Sequence, residues 1–421
     1  MRRSSFERRL RDELHSARPP RAAEAERRAW QVVNAAHSQS SIPRRQRRGA
    51  RVAAAMVAAA LLVALALTPA GAKVGDWIGE VVSPGPEATR SALASLPAEG
   101  RLLVVAEGGP WIVQADGARR RLGSFVDAGW SPGGLFVAAA KGRRLVALEP
   151  DGDERWTRVA PGRVATPRWS PDGYRVAYRS GSDLYVAVAD NTDAWVLDRA
   201  VRPTPPAWRF GQADNSQVLA YARGNRIHIV PADPPSRRRL FRTAPGPVPR
   251  ELWWSADGRR LVAVSRRSVR IHDERGRLLR SIRLAGRLRA SGSALAPDGR
   301  RLALIAAAPG ARSSQLLLVR TDRQARPRRR LGGFGRLEGL TWSIDGRVLV
   351  AGLPQADQWL FLRMSGRGGL VSVRGIRSKF RGGRPAHTGA FPRPAGWCYA
   401  DLPDPGASRF PPCSAGASPG P

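Results

Sequence analysis

Trp169-Ser170-Pro171-Asp172-Gly173 is one of five related phrases along the chain. The others are Trp130-Ser131-Pro132-Gly133-Gly134, Trp254-Ser255-Ala256-Asp257-Gly258, Ala296-Pro297-Asp298-Gly299 and Trp342-Ser343-Ile344-Asp345-Gly346. Their closing glycines lie 39 residues apart from Gly134 to Gly173, 41 from Gly258 to Gly299 and 47 from Gly299 to Gly346, the period of a propeller blade. The gap of 85 between Gly173 and Gly258 has room for one more copy. A degenerate one is legible there, with Trp208 followed by Asp214-Asn215-Ser216-Gln217-Val218 after a short insertion. A weaker first copy begins at Glu99-Gly100.

The residue types explain one unit. Asp-Gly predicts a tight two-residue hairpin with positive φ angles, and a Pro just before it ends the preceding strand. An apolar run such as Leu261-Val262-Ala263-Val264 follows, then an alternating strand such as Leu184-Tyr185-Val186-Ala187-Val188. A third strand is expected after turns such as Asp116-Gly117, Asp151-Gly152 and Arg275-Gly276. Such a sheet cannot bury both faces alone. Radial stacking is therefore expected, with Trp130, Trp169, Trp208, Trp254 and Trp342 filling the space between neighbours. The fold class is all-β, a β-propeller of about seven blades (six to eight) over residues 98–378; a β-sandwich with accidentally similar strands is the competing architecture.

The Trp-Ser-Pro-Asp-Gly-x-x-Val/Leu-Ala phrase resembles the TolB-like, WD-repeat-like propeller units of bacterial envelope proteins, over about residues 95–378. The resemblance implies a fold rather than an activity, because such propellers serve as binding platforms, peptidase lids and occasionally enzymes. No α/β domain is legible before the repeats, so the peptidoglycan-associated lipoprotein that partners TolB is not carried over.

Lys and Arg number 70 against 34 Asp and Glu, a formal charge of +36. That sign raises nucleic acid, anionic lipid and acidic polymers as partners. Only Lys73, Lys141 and Lys379 are lysines, however, as codon bias in a GC-rich genome would produce, and no specific nucleic-acid motif stands out. Arg237–Arg239 and Arg326–Arg330 form local clusters.

Residues 52–68 are uncharged and rich in Ala, Leu and Val, and extension to residue 72 gives a transmembrane length. Arg44, Arg45, Arg47, Arg48 and Arg51 precede them, so the positive-inside rule predicts a single-pass signal anchor with residues 1–51 cytoplasmic and the propeller outside. A cleavable signal peptide is the rival, since Ala70-Gly71-Ala72 fits a cleavage site. Within the basic segment 1–51 two short helices are predicted, one with Phe6, Leu10 and Leu14 on one face and one from about Arg21. That layout resembles transmembrane anti-sigma factors, without their His-x-x-x-Cys-x-x-Cys motif. A basic juxtamembrane tether lying on anionic lipid is the simpler account of the segment. Residues 73–97 read as a linker and 379–421 as a Pro/Gly-rich tail.

His15, His37, His228, His272 and His387 share no metal-ligand spacing, and no nucleophile elbow, zinc-protease or phosphate-loop motif occurs. Asp172, Asp257, Asp298 and Asp345 recur at one turn of each unit and read as turn residues with Gly173, Gly258, Gly299 and Gly346. No catalytic residue, metal or cofactor is expected. Cys398 and Cys413, 15 apart, are a candidate disulfide if the tail lies in an oxidising compartment, and two free thiols otherwise. The function expected is a membrane-anchored extracytoplasmic scaffold for an unknown protein or anionic envelope polymer. The alternatives are a transmembrane sensor and a propeller hydrolase or lyase. The insertion at residues 209–213 and the Arg-rich connection 321–330 are the expected partner contacts.

Overall fold

A computed structural model of the chain describes residues 95–210, 217–233, 241–333, 335–365, 369–380, 390–399 and 413–415. Seven antiparallel sheets follow one another in sequence order. The first strands of blades 2 to 7 are Asp127–Trp130, Val164–Trp169, Ala207–Trp208, Glu251–Trp254, Arg289–Leu295 and Glu338–Trp342. Blade 1 joins strands far apart in sequence, since Arg393–Cys398 pairs with Arg101–Ala106 on that strand's inner side and contacts the inner strands of blades 2 and 7. These seven strands approach one another around a closed circuit, which makes them the inner wall of a seven-bladed β-propeller. The degenerate unit at Trp208 is a full blade of four strands, two of them only two residues long.

The closing strand lies beyond residue 378, where the repeat reading ended. Pro394 and Gly396 gave residues 379–421 the composition of a tail, yet Arg393–Cys398 is a strand with a register shift opposite Leu103 and Val104. A bulge is one of the few places where a sheet accepts Pro. A further short strand, Ser414–Ala415, pairs with the channel side of Gly396 and Trp397 and nears the inner strands of blades 6 and 7.

The recurrent turn is wider than a two-residue hairpin. Ser170 N–H donates to Arg175 O and Gly173 N–H to Ser170 O, at 2.8 and 3.0 Å, so four residues separate the paired ones. Gly173, Gly258, Gly299 and Gly346 take φ of 77, 65, 65 and 66°, while the Asp before each does not enter the positive region. Asp acts through its side chain instead. Oδ1 of Asp172, Asp257, Asp298 and Asp345 accepts the N–H two residues on, at 2.9–3.1 Å. Ser170, Ser255 and Ser343 accept a second turn N–H at 2.9–3.0 Å.

Seven apolar clusters form the core, each between two neighbouring blades. Trp130, Trp169, Trp208, Trp254 and Trp342 each sit in a different one, and Trp397 supplies the same part to the cluster between blades 7 and 1. Leu295 takes that place between blades 5 and 6. Burying an indole in such a seam is worth roughly 3–5 kcal/mol against Ala. Among the described residues no helix is long and apolar enough to cross a membrane; the segment 52–72 and the helices expected in 1–51 lie outside them.

Candidate binding site in the central channel

The inner strands bring to one axis residues that are far apart in sequence. Asp127 and Glu251, first residues of the inner strands of blades 2 and 5, are both 7% exposed. Oδ1 of Asp127 accepts Ala128 N–H and Oδ2 accepts Thr166 N–H, each at 2.9 Å. Burial nonetheless raises its pKa, and Arg168 and Arg393 act in the opposite sense. Glu251 accepts the hydroxyl of Ser293 from blade 6, and burial pushes its pKa up to about 7 against the pull of that bond and of Arg168 and Arg250. Trp253 Nε1–H donates to Ser293 Oγ at 2.9 Å, so indole, hydroxyl and carboxylate form one relay between blades 5 and 6.

Thr166 is the strained member. It holds φ of +52°, where the strand pairing shifts between Ala165 and Arg168, and its buried hydroxyl has no partner. A β-branched residue in the left-handed region costs roughly 1–3 kcal/mol, a strain that clusters at functional sites.

Two cavities lie along this axis. At the turn end, one of about 140 Å³ is lined by Trp130, Trp169, Trp208, Trp253, Trp254, several prolines and Cys413. Trp208 and Trp254 donate their indole N–H to Arg168 O and Ala207 O of the preceding blade, at 2.9 and 3.2 Å. Those of Trp130 and Trp169 are buried without a partner. At the opposite mouth a cavity of about 330 Å³ touches both Thr166 and Glu251.

The expected site residues are distributed otherwise. The four turn aspartates stay in their own turns. Cys398 and Cys413 are joined as a disulfide with Cα atoms 4.6 Å apart. His228 stacks on Tyr221, ring centroids 5.5 Å apart, and His272 is buried with Nδ1 3.2 Å from Gly276 O. Among the described residues no group of three His, Cys, Asp or Glu side chains could hold a metal. Arg209 makes contacts within the fold: its Nε donates to Gly258 O at 2.7 Å and its guanidinium lies over Trp254. Residues 211–213 and Arg237–Arg239 lie outside the described residues. In the 321–330 connection, Arg280 of blade 5 donates to the carbonyls of Arg323 and Ala325 at 2.6 Å, leaving Arg328, Arg329 and Arg330 exposed.

Sequence reasoning looked for catalytic residues as local clusters and missed Asp127, Thr166, Glu251 and Ser293. Their signal is positional: Asp127, Thr166 and Glu251 share one position of the inner strand, where the other copies carry Pro or Gly, and Ser293 is polar at the next, where the other copies are apolar.

No family model matches the sequence, and no curated protein does. Among solved structures, Kuenenia stuttgartiensis hydrazine synthase is 16% identical, covering 56% of this chain and 76% of that one at a TM-score of 0.47. The β-propeller domain of Myceliophteria thermophila Cps50 (Swd1) is 15% identical over 60% and 86%, TM-score 0.47. Kluyveromyces lactis Hsv2 is 12% identical over 66% and 95%, TM-score 0.48. Likenesses at this level carry no inference about activity, and the propeller assignment rests on the seven sheets of this chain.

Proposed function

We propose that the chain is a membrane-anchored, extracytoplasmic, TolB-like propeller that acts as a binding scaffold for a protein or an anionic envelope polymer. The observation that carries this reading is the tryptophan- and proline-lined recess where six of the seven inner strands converge. Rigid aromatic surface in a recess is what binding hot spots are made of, because little side-chain entropy is lost on contact. The Arg-rich run before residue 52 and the apolar segment after it support the anchor.

Photo-crosslinking amino acids placed in living cells test the scaffold. Substitution at Leu135 or Tyr174, exposed beside the recurrent turns, should yield one discrete adduct. Substitution at Val159 or Leu279, exposed on outer strands, should not. Adducts from both pairs alike, or from neither, would refute a partner on the turn face. Alkaline phosphatase fused after Pro421 should be active; an inactive fusion refutes the topology.

A further inference from the structure

The 330 Å³ cavity at the mouth opposite the turns is a built site. Among the described residues Glu251 is the only acid that lines it, and the Trp253–Ser293 relay fixes its carboxylate before any ligand arrives. A carboxylate has about four acceptor positions, so the Ser293 donors leave some open. Thr166, strained and with an unpartnered hydroxyl, lines the same space. Arg250 and Arg266 stand exposed at its rim, and among the described residues neither guanidinium has a carboxylate partner. Pro203, Pro205 and Val248 supply apolar wall to the same cavity.

The order of these groups selects the ligand. Two guanidiniums at the rim favour an anionic group there, and repel an ammonium ligand that Glu251 alone would attract. A carboxylate and a free hydroxyl deeper in call for hydroxyl donors. The apolar wall suits the C–H face of a ring. We propose that this cavity binds an acidic sugar, free or as the end of an anionic glycan, with its carboxylate at Arg250 and Arg266 and its ring hydroxyls at Glu251 and Thr166. The inference rests on the scaffold reading and names the chemistry of its polymer.

Titration calorimetry of the full-length chain in detergent with D-glucuronate tests it. One site per chain is expected. Glucose and acetate, each with half of the pattern, should bind at least about tenfold more weakly, as should glucuronate to Glu251→Gln, which loses a charge-assisted hydrogen bond. Thr166→Val, which keeps the side-chain shape, should weaken binding severalfold. Glucuronate should also slow amide exchange in residues 164–169 and 248–254. Absence of heat, affinity unchanged in both Glu251→Gln and Thr166→Val, or acetate binding as well as glucuronate would overturn the proposal. These outcomes leave turn-face crosslinking untouched, so the site and the scaffold fail separately.

Discussion

The backbone N–H of Thr166 donates to Oδ2 of Asp127 at 2.9 Å, tying a left-handed threonine in blade 3 to a buried acid in blade 2. The bond is charge-assisted when Asp127 is ionised, and it is the contact that holds the strained turn of chain. Asp127→Ala leaves that N–H buried and unpaired. It should destabilise the propeller by about 2–4 kcal/mol in urea unfolding, and Asp127→Asn, which keeps an acceptor, by about half as much. Equal losses would place the effect in packing.

Glu251 makes stability depend on pH in a definite direction. Its folded pKa of about 7 lies above the ordinary 4.5, so the folded protein holds this proton more tightly than the unfolded chain. Stability from this group is complete below about pH 4.5, declines as pH rises to about 7, and is level beyond, by about 3 kcal/mol in all. Raised Asp127 acts in the same sense. Glu251→Gln should therefore gain on wild type steadily between pH 5 and 7 in parallel urea titrations. A constant difference across that range would refute the shifted carboxyl.

The tryptophans allow one substitution to be compared at two bonded states. Trp254→Phe removes the indole bond to Ala207 O and leaves a smaller ring under Arg209. Trp169→Phe removes an N–H that has no acceptor. The first should cost about 1–2 kcal/mol more than the second in chemical denaturation. Equal costs would mean that indole volume alone matters.

The Cys398–Cys413 bridge should resist alkylation unless the protein is first reduced, as mass spectrometry of non-reduced protein will show. Closing this 15-residue loop stabilises by about 3 kcal/mol in the chain-entropy model. Cys398 ends the strand that closes the ring, so reduction should lower the melting temperature of the whole propeller and not only free a tail.

Arg328, Arg329 and Arg330 project from the outer strand of blade 6 beside a connection pinned by Arg280. Binding to a model polyanion such as heparin should weaken as salt rises, because exposed charges are screened over about 10 Å at 0.1 M. Changing all three to Glu should flatten that dependence; an unaltered slope would remove this edge from the account.

How far the sequence could be read follows from where each signal lies. Trp, Ser, Asp and Gly at one turn are local and periodic, so the blades were legible from Trp130 to Gly346. The turn was misjudged in detail because Asp-Gly favours both a two-residue hairpin and a wider turn, and only the Ser hydroxyl bonds separate them. Arg393–Cys398 was hidden by Pro394 and by its distance from the repeats. Asp127, Thr166, Glu251 and Ser293 meet only when the ring is closed, so no window of sequence contains them together.

Closure of blade 1 has a temporal side. Arg101 Nε bonds Tyr399 O at 2.9 Å across 298 residues, and Arg101–Ala106 finds its inner partner only in a strand made after the six other blades. While the chain grows on the ribosome, that early strand carries an unpaired edge of Leu102, Leu103, Val104 and Val105, the kind of surface that recruits a foreign strand. The six blades built meanwhile stack as an open arc. A chain stopped before residue 393 keeps every repeat and still offers that sticky edge, so premature termination yields an aggregating species rather than a smaller working propeller.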